Sequence, residues 1–429
     1  MTIDRGDDGD PARQSVALAT WGLFVGLALL LIGSGLFGTL VTVRAELEGF
    51  NTVVIGVVVA AYYAGFLAGS RLTLVALTRV GHVRVYAALA SLLSATMLAT
   101  GVAPNPITWV ALRFITGLCL AGQYVVAESW LNALADNSNR GRLMAVYMLV
   151  TTGAFGIGQL LISVSDPAAI GGFVLASALT SLAVAPVALS EGNVPLEEIE
   201  QRHISLRELA RIVPTGVGTC LLVGVAHGAL TGMAGVYATR SGLASAAIGL
   251  FVAAPTIGGV VLQWPISSAS DDVDRRAVGV VAAFGAALAA AALALTGPQG
   301  WSGVLLMALI GGASYPLYSI AVAYTNDWTP PEQTLAAASQ LITLYGAGAF
   351  VGPLIVAGLM GVVGVSGFTW SIVVMQSLIG IFLTYRMRAW RAPLTKLAFS
   401  EASYPARIFF VPGTVIAASR RLRRSHLDN

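Results

Sequence analysis

Charged residues in this chain fall in short clusters separated by long stretches that carry none. A helix that crosses a bilayer needs about 20 residues with few or no charges, so the charges serve as punctuation. One span fits between Arg13 and Arg44, and another between Glu48 and Arg71. Between Arg84 and Glu128 the only charge is Arg113, with Pro104, Asn105 and Pro106 marking a turn; this stretch holds one span and most of a second. Only Asp166, beside Pro167, interrupts Arg142–Glu191, and only Arg240 interrupts Arg211–Asp271, so each predicts two spans. Residues 277–326 and 333–385 are uncharged and predict two spans each, turning at Gly297–Gly300 and near Gly361–Gly367. The pattern therefore predicts an all-α integral membrane protein with twelve transmembrane helices.

Composition agrees. Of 429 residues, 56% are hydrophobic and 10% charged, whereas a soluble domain carries about 25% charged residues to wet its surface. Cys119 and Cys220 both lie in apolar stretches and offer neither metal-ligand spacing nor a disulfide framework. There is no phosphate-binding loop, zinc motif or nucleophile elbow, so no enzymatic activity, cofactor or metal is expected. The net charge of +3 gives no reason to expect a nucleic-acid partner. Arginines set the orientation. With the N-terminus inside, Arg5, Arg13, Arg79, Arg84, Arg140, Arg142, Arg202, Arg207, Arg211, Arg275 and Arg276 are internal, as is the basic tail, and only Arg44 and Arg240 are external. By the positive-inside rule both termini are then cytoplasmic, in the cytoplasmic (inner) membrane.

The polar insert 190–211 divides the spans six and six. The expected units are a disordered cytoplasmic tail 1–14, a six-helix half 15–189, the central loop 190–211, a second half 212–388 and a basic cytoplasmic tail 389–429. The halves repeat. Gly117, Tyr124, Asn132 and Gly158 become Gly311, Tyr318, Asn326 and Gly352 at an offset of 194, and Ile55-Gly56 becomes Ile248-Gly249 at 193. Both halves start on the same side. Two parallel six-helix repeats are the arrangement of major facilitator transporters, whose solute site lies at the midplane between halves.

Motifs carry the resemblance further. Residues Leu74–Arg84 and Ser267–Arg275 resemble the two cytoplasmic Gly-x-x-x-Asp-x-x-Gly-Arg loops of that superfamily. The first copy is eroded but keeps Arg79, Gly81 and Arg84; the second keeps Asp271 and Arg275. The resemblance implies a cytoplasmic gate formed by these residues with Arg140 and Arg142. Arg113, followed by Gly117 and Gly122, resembles the fourth-helix Arg motif, and Gly348–Pro353 resembles a Gly-Pro motif that drug–proton antiporters carry in helix five. Helix five itself has Gln159 where those antiporters have Pro. Arg113–Tyr147, Gly158–Leu160 and Gln263–Ile266 are most similar to the YcaD-type branch of the superfamily, which brings no known substrate.

Glu128 is the sharpest candidate. It lies inside the apolar layer, where a charge costs about 2.5–3.5 kcal/mol on insertion scales and is usually paired or functional. Tyr124, Glu128 and Asn132 share one helical stripe. Burial disfavours the charged form of a carboxyl, so Glu128 can bind and release a proton; alternatively it pairs with Arg84 or Arg142 and locks the inner gate. Arg113 is excluded as partner, being 15 residues or about 22 Å away along the helix. Arg113 can attract an anionic solute, couple to a proton carrier, or bridge helices through carbonyls. His227 either faces the cavity or packs as a hydrogen-bonded core residue. Tyr62, Tyr63, Gln123, Tyr315 and Tyr318 are candidate cavity-lining groups, with interhelical hydrogen bonding as their alternative role.

The expected function is secondary transport of a small, partly apolar solute by alternating access, with coupling to protons and with export favoured over uptake, carried out by a monomer. The alternative is a non-transporting membrane scaffold or lipid-handling factor. The basic tail, which contains Arg391, Lys396, Arg407, Arg420, Arg421, Arg423 and Arg424, is expected to bind anionic lipid headgroups.

Overall fold

The computed structural model describes residues 11–134, 140–190, 204–330 and 333–389. Twelve helical spans among them are long and apolar enough to cross a membrane. In chain order the helices are α1 (Pro11–Leu47), α2 (Thr52–Val80), α3 (His82–Val102), α4 (Pro106–Leu134), α5 (Arg140–Leu160), α6 (Gly171–Leu182), α7 (Val184–Ala188), α8 (Leu206–Ile212), α9 (Pro214–Arg240), α10 (Ser245–Asp272), α11 (Arg275–Thr296), α12 (Gly300–Ser314), α13 (Pro316–Asn326), α14 (Thr334–Val363) and α15 (Gly367–Ala389). The turns fall where charge and Pro/Gly punctuation placed them: Pro106 opens α4, Asp166 lies between α5 and α6, and α9 ends at Arg240.

Three details differ from the sequence expectation. Helix α1 begins at Pro11, inside the segment expected to be a disordered tail; proline is well placed in a first turn, where its missing N–H has no helical acceptor. The sixth and tenth spans are each two helices, α6 with α7 and α12 with α13, broken near Pro186 and Pro316, because proline withholds a ladder hydrogen bond. The central polar segment contains α8, capped by Ser205, whose side chain accepts from the Glu208 N–H. The basic segment from residue 390 onward lies outside the described residues.

The repeat is expressed in packing. Pairings in the first half recur in the second: α1 with α5, α2 with α4 and α3 with α6 are matched by α9 with α14, α10 with α12 and α11 with α15. Glycines at equivalent positions make these approaches. A Cβ on Gly35 would lie 2.2 Å from the Phe155 carbonyl oxygen, and one on Gly228 2.3 Å from that of Ala349. Gly158 meets Ile32 as Gly352 meets Val225, at 2.1 Å in both cases; Gly65 meets Phe114 as Gly258 meets Ala308, at 1.8 Å. Gly117 sits on the Tyr62 backbone as Gly311 sits on that of Pro255. Lipid solvates apolar side chains as well as protein does, so close backbone packing replaces hydrophobic burial as the glue between helices. Large apolar side chains such as Val281, Leu288 and Val362 point outward, as a lipid-facing surface requires.

The halves meet along α2 and α14, where Gly56 lies against Ala357 and Gly346 against Leu67, and again at the Arg240 end of the bundle. There Arg240 of α9 pairs with Glu46 of α1 at 2.7 Å, and Gly235 lies against Thr42. Ser163 donates to the Ala246 carbonyl at 3.2 Å, and Thr256 to Gln159 at 3.0 Å. At the opposite end, that of Arg275, α4 and α13 form no comparable interface.

Gly65→Ala and Gly258→Ala should each lower the unfolding midpoint, since overpacking costs about 1–3 kcal/mol. Gly285→Ala, whose added Cβ meets nothing within 4 Å, should leave it unchanged or raise it. Thermal unfolding of detergent-purified variants gives the comparison, and equal loss in all three would contradict the packing argument.

Candidate functional site

A cavity lies between the halves, walled by Tyr62, Tyr63 and Phe66 of α2, Tyr124 of α4 and Tyr345 of α14, with Ser70 and Thr343 toward the Arg275 end. About 580 Å³ there is free of protein atoms, but only about 30 Å³ admits the centre of a water molecule. A single water needs about 10–15 Å³ by that measure, so the cavity has room for water and must widen to take a solute. Aromatic rings pack in its wall, and Tyr318 packs behind Tyr345. Tyr62 meets Tyr63 edge-on at 5.1 Å, Phe66 lies 6.2 Å from Tyr124, and Tyr318 meets Tyr345 at 5.0 Å. Tyr63 and Thr231 share a 2.9 Å hydrogen bond between the halves.

His227 is buried beside this wall. Its Nε2 lies 3.1 Å from the Ser314 carbonyl and 3.0 Å from the Ser314 hydroxyl, and its Nδ1 lies 3.0 Å from the Tyr345 hydroxyl. A carbonyl only accepts, so Nε2 carries the proton and Nδ1 accepts from Tyr345. The break between α12 and α13 makes this possible. The Tyr318 N–H turns to the Tyr315 carbonyl, leaving the Ser314 carbonyl to His227. Tyr315 stands edge-on to the imidazole at 4.8 Å, and Gln376 donates to the Ser314 hydroxyl. Both ring nitrogens are thus satisfied in the neutral form, which favours the packing role for His227.

Glu128 is 6% exposed and accepts from the Tyr147 hydroxyl at 3.1 Å. Arg84, offered as its partner, is exposed and makes no ion pair among the described residues, so that pairing is corrected. The side chains of Arg140 and Arg142 lie outside the described residues. Asn132 is exposed although Tyr124 and Glu128 on its stripe are buried; it comes within three residues of the end of α4, beyond the packed interior. Gln123 donates to the Tyr86 carbonyl at 2.9 Å and packs α4 on α3, so it does not line the cavity. Arg113 is 6% exposed, with its guanidinium 4.8 Å from the centre of the Tyr62 ring and 5.6 Å from that of Phe37.

The expected gate residues separate into two groups. Arg79 and Arg84 are exposed, and Gly81 has φ +83° at the α2–α3 turn, a backbone requirement in the left-handed region. Asp271 and Arg275 do meet, at 2.8 Å, and Arg275 also binds Asp327 at 2.7 Å. No spacing pattern marks Asp327 as a partner, because it follows α13, more than fifty residues along the chain. This cluster ties α10, α11 and α13 within the second half and does not bridge the halves. Tyr345 was also missed; its contacts with His227 and Tyr318 arise only when α14 packs on α9 and α13.

Asp327→Asn should cost about 3–5 kcal/mol, because it leaves a buried guanidinium short of its counter-ion. Asp271→Asn, at a side chain 28% exposed, should cost about 1 kcal/mol or less. Chemical or thermal unfolding of the two variants ranks them, and a larger loss at Asp271 would contradict the assignment.

Comparison with known proteins agrees with this architecture. The sequence profile described as Major Facilitator Superfamily matches residues 23–318 and 219–419. The uncharacterized MFS-type transporter YcaD of Escherichia coli O139:H28 (strain E24377A / ETEC) is 29% identical over 339 residues, covering 79% of this chain and 88% of its own. Among solved structures, the D323A mutant of the nucleoside transporter NupG superposes with a TM-score of 0.74 at 14% identity, covering 86% of this chain and all of its own. A bacterial homologue of the human lysosomal transporter Spinster, inward-facing and occupied, gives 0.71 at 13% identity, covering 89% of this chain and 98% of its own. At such identities the superpositions speak for the fold alone, whereas the profile spans nearly the whole chain: this protein belongs to the major facilitator superfamily, and it is a multi-pass inner-membrane transporter rather than an enzyme.

Proposed function

We propose that the protein exports a small, partly apolar solute by alternating access, coupled to protons through Glu128, with both termini cytoplasmic. The one-sided seal carries this reading. The contacts between halves described above gather toward the Arg240 end and the midplane, while the cavity extends from Tyr62 toward Ser70 and Thr343 on the far side. Arg79, Arg84, Arg207, Arg211, Arg275 and Arg276 lie at the opposite end, so the positive-inside rule makes the sealed end external. In this state the Arg240–Glu46 pair acts as an external latch, and its opening exposes the cavity to the other side. Glu128 suits the coupling role because it is buried one helical turn from Tyr124, a cavity wall residue, with its carboxylate held by Tyr147. The aromatic wall suits a partly apolar solute, and the basic segment 389–429 would hold the cytoplasmic face to anionic headgroups.

Sidedness tests the seal without knowing the solute. The native Cys119 and Cys220 are buried, so Ser70→Cys gives a reporter for a membrane-impermeant maleimide. Labelling should proceed in inside-out vesicles and be slow in right-side-out ones. Adding Glu46→Gln should raise external labelling severalfold. Preferential labelling from outside in the parent would refute the assigned sidedness.

Proton coupling is tested in proteoliposomes under an imposed pH gradient. Glu128→Gln should abolish gradient-driven solute movement while sparing solute exchange at equal pH. Undiminished gradient-driven movement in the variant would remove Glu128 from the coupling role.

A further inference from the structure

Arg113 stands apart from every other buried arginine described. Arg275 and Arg276 pair with Asp327, Asp271 and Asp274, and Arg386 donates to Thr215. Arg113 is as deeply buried, yet its Nε has no acceptor and its guanidinium makes no hydrogen bond or ion pair among the described residues. Guanidinium cannot relieve burial by losing its proton. Its neighbours are the faces of Tyr62 and Phe37, which offset only part of the lost hydration. A buried cation held on aromatic rings, with its donors unspent, is prepared for an acceptor that is not part of the protein.

That acceptor has a route. The Tyr62 ring that covers the guanidinium is also a wall of the cavity, so a ligand displacing it would reach Arg113 from within. No carboxylate lines the cavity among the described residues, so no acidic group of its wall repels an anion or pairs with a cation. The remaining wall offers ring faces from Tyr63, Phe66, Tyr124 and Tyr345, which suit a flat apolar body. The geometry points to an organic monoanion as the solute: an aromatic or flat apolar body against these rings, and a carboxylate paired in bidentate fashion with Arg113. The proposal rests on the cavity being the solute site and narrows its chemistry.

The test uses the full-length protein in nanodiscs and matched compounds sharing one body and differing in charge. Indole-3-acetate, indole-3-acetamide and tryptamine form one set; the corresponding benzene and naphthalene acids, amides and amines form two more. Binding is read by ligand-dependent thermal shift and by quenching of intrinsic fluorescence. At least one acid should bind wild type tenfold or more tighter than its amide, with the amine weakest. Arg113→Gln should level acid and amide, and Arg113→Lys should restore part of the difference. Acid and amide binding alike to wild type would overturn the proposal, as would undiminished acid binding by Arg113→Gln, or no binding by any acid. The wild-type charge series decides the matter alone should Arg113→Gln fail to fold. Failure of the alternating-access reading shows separately, as Ser70→Cys labelling of the wrong sidedness.

Discussion

Helices in a bilayer gain little by burying apolar side chains that lipid would solvate equally well, so their association depends on how closely backbones approach. In this protein that approach is made by glycines repeated at an offset of 193 or 194 residues: Gly35 with Gly228, Gly65 with Gly258, Gly117 with Gly311, and Gly158 with Gly352. Each seats one helix against a carbonyl or main-chain segment of its neighbour. The same helices therefore pair in both halves, and the two six-helix units acquire the same shape. With shape fixed by backbone contact, side chains on the faces between the halves are released from structural duty and can differ.

They do differ. Tyr124 and Tyr318 recur across the repeat, but Glu128 has Val322 as its counterpart and Arg113 has Met307. The first half thus contributes a buried acid and a buried base to the region around the cavity, while the second contributes the neutral His227–Ser314–Tyr345 assembly. That assembly depends on the break at Pro316, where a carbonyl released from the helical ladder is taken up by imidazole. Irregular backbone at membrane depth is tolerable only where such a partner exists. The charged pairs that remain are segregated to the ends, Arg240–Glu46 at one and Arg275–Asp327 at the other. The first joins the two halves and the second braces a single half.

Twelve spans, their turns at Pro106, Asp166, Arg240 and Gly297, and the repeat between halves were legible in the chain itself. The reason is physical: a 20-residue charge-free stretch has few alternatives to crossing a bilayer as a helix, and punctuation by Arg and Pro marks where it stops. Glu128 and Arg113 also stood out, because ionisable groups inside apolar stretches are rare enough to be noticed singly. Partnerships did not show. Asp327 as the second partner of Arg275, Glu46 as the partner of Arg240, Tyr147 beside Glu128 and Tyr345 in the aromatic wall each join residues from different helices. Arg84 as a partner of Glu128 and Gln123 as a wall residue were reasonable by position along the helix, but rotation about the helix axis turned them elsewhere. Sequence determines which segments enter the membrane and which residues are costly there. Only the packed bundle decides which costs are met by an ion pair, as at Arg275, and which, as at Arg113, are met by none among the described residues.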